Sequence, residues 1–209
     1  MKLYDYRPAP SPRRLRIFMA EKRIEIPTVQ IDLRRGEQFS ESFRAVNPQC
    51  TVPVLELDDG TVISEITAIC RYLEETHPTP PLLGRDAKER ALVAMWDHRM
   101  ELEGFYAVAE AFRNSTPGFK GHALTGPQGY EQIPALVERG KARVKQFFQV
   151  LDQRLAECEY VAGARFSVAD ITAMTSVDFA GWVKLGIPDD HTNLKRWHAA
   201  VSARPSAKA

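Results

Sequence analysis

The sequence predicts an α/β amino-terminal half followed by an all-helical carboxy-terminal half. Strand-like alternation surrounds one amphipathic helix, a hairpin signal precedes a second helix, and helical spacing prevails after a proline-rich break. The break is the run 77–81, which has three prolines in four positions and cannot continue a helix. We therefore predict a first domain over residues 1–77, a linker over 78–85 and a helical domain over 86–209.

The first elements follow from apolar spacing and from proline. Residues 3–6 favour a short strand, and 7–10 end it because proline cannot donate a ladder hydrogen bond. Ser11 and the proline after it predict a helix start, since serine is a preferred N-cap and proline suits the first helical position. Helical spacing continues to residue 22, and the alternation at Val29, Ile31 and Leu33 predicts a second strand.

A hairpin and a second helix come next. The runs 54–57 and 61–63 flank Asp58-Asp59-Gly60, whose Asp-Gly pair is a strong hairpin-turn signal. We expect these two strands to pair antiparallel. From Glu65 onward, apolar residues recur on one face of a helix as far as the proline-rich break.

The second half shows helical spacing, separated by one long loop rich in glycine and proline at 114–130. The predicted helices cover 86–112, 137–155, a segment that begins at 167, and 194–201. Asp86 is a candidate N-cap for the first of them. Ser167 and Asp170 stand at the spacing of a capping box, in which each side chain bonds the other's backbone N–H.

Composition limits the possible functions. Lysine and arginine total 28 against 27 acidic residues, which gives a net charge of +1 and argues against a nucleic-acid surface. The basic run Arg13, Arg14 and Arg16 is interpreted as a solvated helix face. Three cysteines without a C-x-x-C pair predict no metal site and a reducing, cytoplasmic location. No apolar run approaches the ~20 residues that span a bilayer, so we expect no membrane association.

Four segments of the chain, taken together in their order and spacing, resemble the cytosolic glutathione transferases. The order strand-helix-strand then hairpin-helix is similar to their thioredoxin-like amino-terminal domain, and the helical remainder to their second domain. The segments that carry the resemblance are Arg16–Lys22, Asn47–Leu55, Ile63–Ile69 and Phe166–Ile171. The resemblance covers the whole chain, and it implies glutathione as co-substrate, no metal, and a homodimer.

The chemistry of glutathione singles out Ser11. A thiol is a few per cent ionised at neutral pH, and a hydroxyl donor beside a positive helix N-terminus favours the reactive thiolate. Ser11, as the predicted N-cap of the first helix, stands where both would act, and the resemblance implies that it is the catalytic residue. The alternative is that Ser11 only caps the helix.

The resemblance also implies a set of glutathione-binding residues. Val52 would offer its backbone to the cysteinyl part, next to a cis peptide bond to Pro53, and Glu65 would meet the γ-glutamyl ammonium. Ile66 stands where the family usually has serine, so its N–H is retained and the hydroxyl is lost, unless Ser64 or a residue of a partner subunit compensates. The positions that would contact the glycyl carboxylate are Gln38 and Thr51.

Three functions stay open from the sequence. The first is transfer of the glutathione thiolate to small hydrophobic electrophiles, a detoxification reaction. The second is glutathione-dependent disulfide or peroxide reduction, which the same thiolate could perform. The third is a non-catalytic relative that binds proteins. Two features keep it open: Ile66 lacks the usual hydroxyl, and Ala9, which matches the serine of some classes of the family, has no donor.

Overall fold

The computed structural model describes residues 1–209. The chain forms two compact units. The first unit comprises Met1–Pro80 with Leu124–Gly129 and Ala209. The second unit comprises Pro81–Ala123 and Tyr130–Lys208.

The first unit contains a four-stranded sheet in the order β2-β1-β3-β4. Its elements are β1 (Lys2–Asp5), α1 (Pro10–Lys22), β2 (Thr28–Gln30), α2 (Glu41–Val46), β3 (Val54–Glu56), β4 (Val62–Ser64) and α3 (Ile66–Thr76). Strand β1 pairs parallel with β2 and antiparallel with β3, and β3 pairs antiparallel with β4. The predicted strand-helix-strand and hairpin-helix order is confirmed.

Two features of this unit differ from the sequence prediction. Strand β2 ends at Gln30, and Ile31 lies beyond it in an apolar cluster with Tyr4 and Phe43. Helix α2 was not predicted, because six residues are too few to show a helical period. Its N-cap is Ser40, whose hydroxyl oxygen accepts from the Phe43 N–H at 3.2 Å.

A buried lysine joins the ends of α1 and α3. The side chain of Lys22 has no exposed surface, and its ammonium lies 2.6 Å from a carboxylate oxygen of Glu74. The same ammonium donates to the carbonyl oxygens of His77 and Pro80, each at 2.7 Å. Three acceptors therefore satisfy the three donors of the ammonium, as burial of a charge requires.

The second unit is all-helical. Its helices are α4 (Ala87–Arg99), α5 (Tyr106–Ser115), α6 (Pro134–Glu157), α7 (Val168–Ala180) and α8 (Thr192–Ser202), with a π-helical turn at Met100–Phe105 between α4 and α5. Asp86 caps α4 as predicted, because its carboxylate accepts from the Glu89 N–H at 2.8 Å. None of these helices, nor those of the first unit, is long and apolar enough to cross a membrane.

The predicted capping box at the start of α7 is confirmed, and it is completely buried. One carboxylate oxygen of Asp170 accepts from the N–H and the hydroxyl of Ser167, at 3.0 and 3.2 Å. The other accepts from the Val161 N–H and the Trp197 indole N–H, each at 2.9 Å. Burial nevertheless raises the pKa of Asp170 from its ordinary 3.8 to about 6, while these donors act in the opposite direction.

Candidate functional site

The sheet topology brings the predicted site residues to one edge. Tyr4 near the end of β1 is paired with Val54 at the start of β3, and Val54 is paired with Ser64 at the end of β4. The chain therefore leaves β1, enters β3 and leaves β4 at the same end of the sheet. These three segments contain Ser11, the run 51–53 and the run 64–66.

The segment before β3 presents an unpaired backbone. The Val52–Pro53 peptide bond is cis, as the resemblance implies. The Val52 side chain is 9% exposed, in the same apolar cluster as Tyr4 and Phe43. Its backbone N–H and C=O make no hydrogen bond within the chain. A buried side chain with a free backbone is suited to bind an extended peptide, as an added strand.

Asn47 organises the loop that leads to Val52. Its amide nitrogen donates to the carbonyl and the hydroxyl oxygen of Thr51, at 2.9 and 3.1 Å. Its amide oxygen accepts from the Gln49 N–H at 3.1 Å. Because the Thr51 hydroxyl acts here as an acceptor, it retains its own proton for a further bond.

The segment after β4 places a carboxylate next to a helix N-terminus. Glu65 is the N-cap of α3, with φ +69° and ψ 128°, and its exposed side chain makes no capping hydrogen bond. The Ile66 side chain is 6% exposed, so this residue can offer a ligand only its N–H. A free carboxylate beside unpaired helix N–H groups can hold the ammonium and the carboxylate of an α-amino acid.

Two hydroxyls flank this carboxylate. Ser64 is half-buried at the end of β4, and Thr67 is exposed at the second position of α3. Neither side chain makes a hydrogen bond within the chain. Of these two residues, only Ser64 was predicted from the sequence. The signal for Thr67 was its place within two residues of Glu65.

The prediction that Ser11 caps α1 is wrong. Helix α1 begins at Pro10, and its N-cap is Ala9, with extended backbone angles of φ −78° and ψ 137° and no side-chain cap. Proline disfavours helical angles in the residue before it, so Pro10 sets the boundary one residue ahead of Ser11. Ser11 is half-buried in the first turn, and its oxygen accepts from the Arg14 guanidinium at 3.4 Å.

A network beneath this turn fixes the backbone between β1 and α1. One guanidinium nitrogen of Arg16 donates to both oxygens of the buried Asp5, at 2.9 and 3.1 Å, and the other donates to the Arg7 carbonyl at 2.8 Å. Gln30 donates to Asp5 at 3.0 Å and accepts from the Arg7 N–H at 2.8 Å. Burial lowers the pKa of Arg16, although the Asp5 carboxylate acts in the opposite direction.

The interpretation of the basic run as a solvated face is therefore wrong for two of its three members. Arg14 is 5% exposed, and Arg16 is held by Asp5. The partners of Arg16 are Asp5 and Arg7, eleven and nine residues before it, and Asp5 is held in turn by Gln30 of β2, fourteen residues after Arg16. Helical spacing alone does not show such contacts.

Gln38 lies after β2 in the short 3₁₀ turn Glu37–Phe39. Its amide oxygen is buried and makes no hydrogen bond within the chain. Buried polar atoms usually have partners, so this amide has binding capacity that the chain itself does not use. No group of three histidine, cysteine or acidic residues lies close enough together to hold a metal ion.

Comparisons with known proteins cover both units. Residues 9–76 match the amino-terminal domain of glutathione S-transferases, and residues 95–205 match their carboxy-terminal domain. Glutathione S-transferase 2 of Saccharomyces cerevisiae is 40% identical over 210 residues, which is 100% of this chain and 88% of the yeast protein. A crystal structure of Gtt2 from the same yeast has a TM-score of 0.91 at 38% identity and covers 100% of this chain and 99% of that one. A glutathione S-transferase domain-containing protein of Marinobacter aquaeolei VT8 has a TM-score of 0.91 at 40% identity and covers 99% of each chain.

Proposed function

Because the chain belongs to the glutathione S-transferase family, we propose that it conjugates the glutathione thiolate to small hydrophobic electrophiles, a detoxification reaction. The observation that carries this proposal is the free Glu65 carboxylate at the N-terminus of α3, at the same sheet edge as the unpaired Val52 backbone. Glutathione has an α-amino acid at one end and a peptide bond next to its thiol. The Glu65 carboxylate at the helix N-terminus matches the α-amino acid, and the unpaired Val52 backbone matches the peptide bond.

Each part of glutathione has a partner in this proposal. The γ-glutamyl ammonium binds the Glu65 carboxylate, and its carboxylate binds the N–H of Ile66, with the Ser64 hydroxyl near it. The cysteinyl N–H and C=O pair with the backbone of Val52, which precedes the cis bond to Pro53. The glycyl carboxylate contacts two further side chains, Gln38 and Thr51.

Ser11 is the proposed thiolate-stabilising residue. A pKa lowered by ~2 units from about 8.5 raises the thiolate fraction at neutral pH roughly 25-fold. The Ser11 hydroxyl donates to the sulfur, and the positive end of α1 favours its negative charge. The thiolate then attacks an electrophilic carbon, the new S–C bond forms, and the leaving group departs with the bonding electron pair.

Calorimetric titration with reduced glutathione tests the binding step. The wild-type protein is expected to bind in the micromolar to millimolar range, and Glu65→Ala is expected to weaken binding by about 1.5–3 kcal/mol, the value of a charge-assisted hydrogen bond. Glu75→Ala, at the opposite end of the same helix, is the matched control and should bind like the wild type. No binding at about ten millimolar glutathione would refute the proposal.

An activity assay separates the two enzymatic functions. The protein is incubated with glutathione and either an aryl halide or a low-molecular-weight disulfide. Conjugation of the halide supports the transferase. Disulfide reduction without conjugation would replace it with the reductase, and glutathione binding with neither activity would favour the binding protein.

We also propose a homodimer. Large apolar side chains are exposed along α4, the π-helical turn and α5: Leu92, Met95, Leu102 and Tyr106, at 37–52%. A second copy of the chain would cover them through a twofold interface. Light scattering should then give about 47 kDa, twice the 23.6 kDa of one chain. Leu102→Glu should give monomers, and the equally exposed Ile133→Glu should not.

The cytoplasm is the proposed location. None of Cys50, Cys70 and Cys158 forms a disulfide, which is usual for proteins of reducing compartments. Fractionation of cells that express a tagged chain would test this, and recovery from an oxidising compartment with a disulfide formed would contradict it.

A further inference from the structure

The Ser11 hydroxyl has one hydrogen-bond partner in the chain, and that partner shows whether the hydroxyl donates or accepts. The Arg14 guanidinium, one helical turn further along α1, lies with a terminal nitrogen 3.4 Å from the Ser11 oxygen. A guanidinium has donors only, so the Ser11 oxygen must be the acceptor. The hydroxyl proton of Ser11 is therefore not used in this contact.

The backbone of α1 offers no back-bonding acceptor for this proton. A serine inside a helix commonly donates to the carbonyl four residues earlier, but Ser11 is the second residue of α1, and the carbonyl four residues before it, that of Arg7, lies ahead of the helix. That carbonyl accepts from the Arg16 guanidinium at 2.8 Å. The structure contains no hydrogen bond in which Ser11 is the side-chain donor.

We propose that Arg14 is a positioning residue, which holds the Ser11 oxygen so that the hydroxyl proton is directed to the sulfur of bound glutathione. This inference rests on the proposed role of Ser11 as thiolate donor. Arg14 is 5% exposed, so its side chain has few alternative positions and little water competes for its donors. A charged donor on the hydroxyl oxygen also polarises the O–H group, which strengthens the bond that this group donates.

The test is a double-mutant cycle on the pKa of bound glutathione, which is measured from the ultraviolet absorbance of the thiolate. Ser11→Ala and Arg14→Met are each expected to raise this pKa by about one unit, a tenfold loss of thiolate well below the pKa. The double variant should show no more than the shift of Ser11→Ala, because Arg14 acts through Ser11. Arg13→Met removes the same charge from the adjacent position and is expected to leave the pKa unchanged.

The outcomes separate the two hypotheses. An unshifted pKa in Ser11→Ala would refute the role of Ser11 in the proposed function. The role of Arg14 would be overturned if the pKa rises in Ser11→Ala but not in Arg14→Met. It would also be overturned if Arg14→Met raises the pKa by the same amount when Ser11 is already replaced by alanine. If Arg14→Met does not fold, Arg14→Lys keeps a charged donor and Arg14→Gln a neutral one. The pKa should then rise more in Arg14→Gln, and wild-type values in both would overturn the proposal.

Discussion

Asp170→Asn tests how burial and hydrogen bonding compete at the capping box of α7. The substitution keeps the shape of the side chain but removes its charge and its titration. In the wild type, four donors point at the carboxylate, yet burial dominates and raises its pKa from 3.8 to about 6. The ionised form is therefore less favourable in the folded protein than in the unfolded chain.

The sign and size of the effect follow from linkage. Between about pH 4 and 6 the folded state binds more protons than the unfolded state, so the contribution of Asp170 to stability is complete below 3.8 and is lost as the pH rises through about 6. A difference of about 2 units corresponds to roughly 3 kcal/mol in total. About 2 kcal/mol of this falls between pH 4.5 and 7.

The assay compares the free energies of unfolding of wild type and Asp170→Asn in urea across this pH range, at one fixed protein concentration because the proposed homodimer would make stability depend on concentration. Subtracting the two values at each pH cancels the titration of the groups that they share. We expect the stability of the wild type, relative to the variant, to fall by about 2 kcal/mol as the pH rises from 4.5 to 7. A relative stability that increases with pH would refute the reasoning, since it would mean that the four donors outweigh burial.

Two further substitutions test packing in the two units. Lys22→Met should cost about 3–5 kcal/mol of unfolding free energy in urea, because it removes the buried ammonium that pairs with the largely buried Glu74 carboxylate, whereas the more exposed Lys141→Met should cost under about 0.5 kcal/mol. Gly140→Ala should lower the melting temperature, at a cost of about 1–3 kcal/mol, because the added methyl group would lie 2.8 Å from backbone atoms of α5. Gly186→Ala meets no atom within 4 Å and is the control. Equal stabilities within either pair would contradict the packing described.

The sequence correctly predicted those elements that are determined by residues close to one another in the chain. The hairpin turn at 58–60 and the caps Asp86 and Ser167 depend on residues within three or four positions of one another, and the structure contains all of them. Helix α2 has a local cap at Ser40 as well, but its six residues carry no period that distinguishes a helix from a loop. Helix α2 was therefore missed because it is short, although its N-cap residue is an ordinary one.

The site was less accessible to sequence reasoning, because its geometry depends on strand pairing. The run 51–53 and Glu65 are brought to one edge by the β3–β4 register, which the hairpin signal implied. The environment of Ser11 was not implied by any local pattern. It depends on Pro10, which moves the helix start, and on Arg16, which reaches Asp5 in another element. Arg16, one member of the basic run that was predicted to be solvated, thus supports the turn before α1.

Glu65, the N-cap of α3 at this sheet edge, has a strained backbone conformation. Its φ of +69° lies in a region that glycine occupies at little cost, and a residue with a Cβ atom held there costs about 1–3 kcal/mol. The Glu65 side chain offsets none of this through a cap or an ion pair within the chain. The conformation is imposed from both sides, by the pairing of Ser64 in β4 and by the burial of Ile66 in α3. In the proposed function, the ammonium of glutathione supplies the interaction that the chain itself does not give to the Glu65 carboxylate.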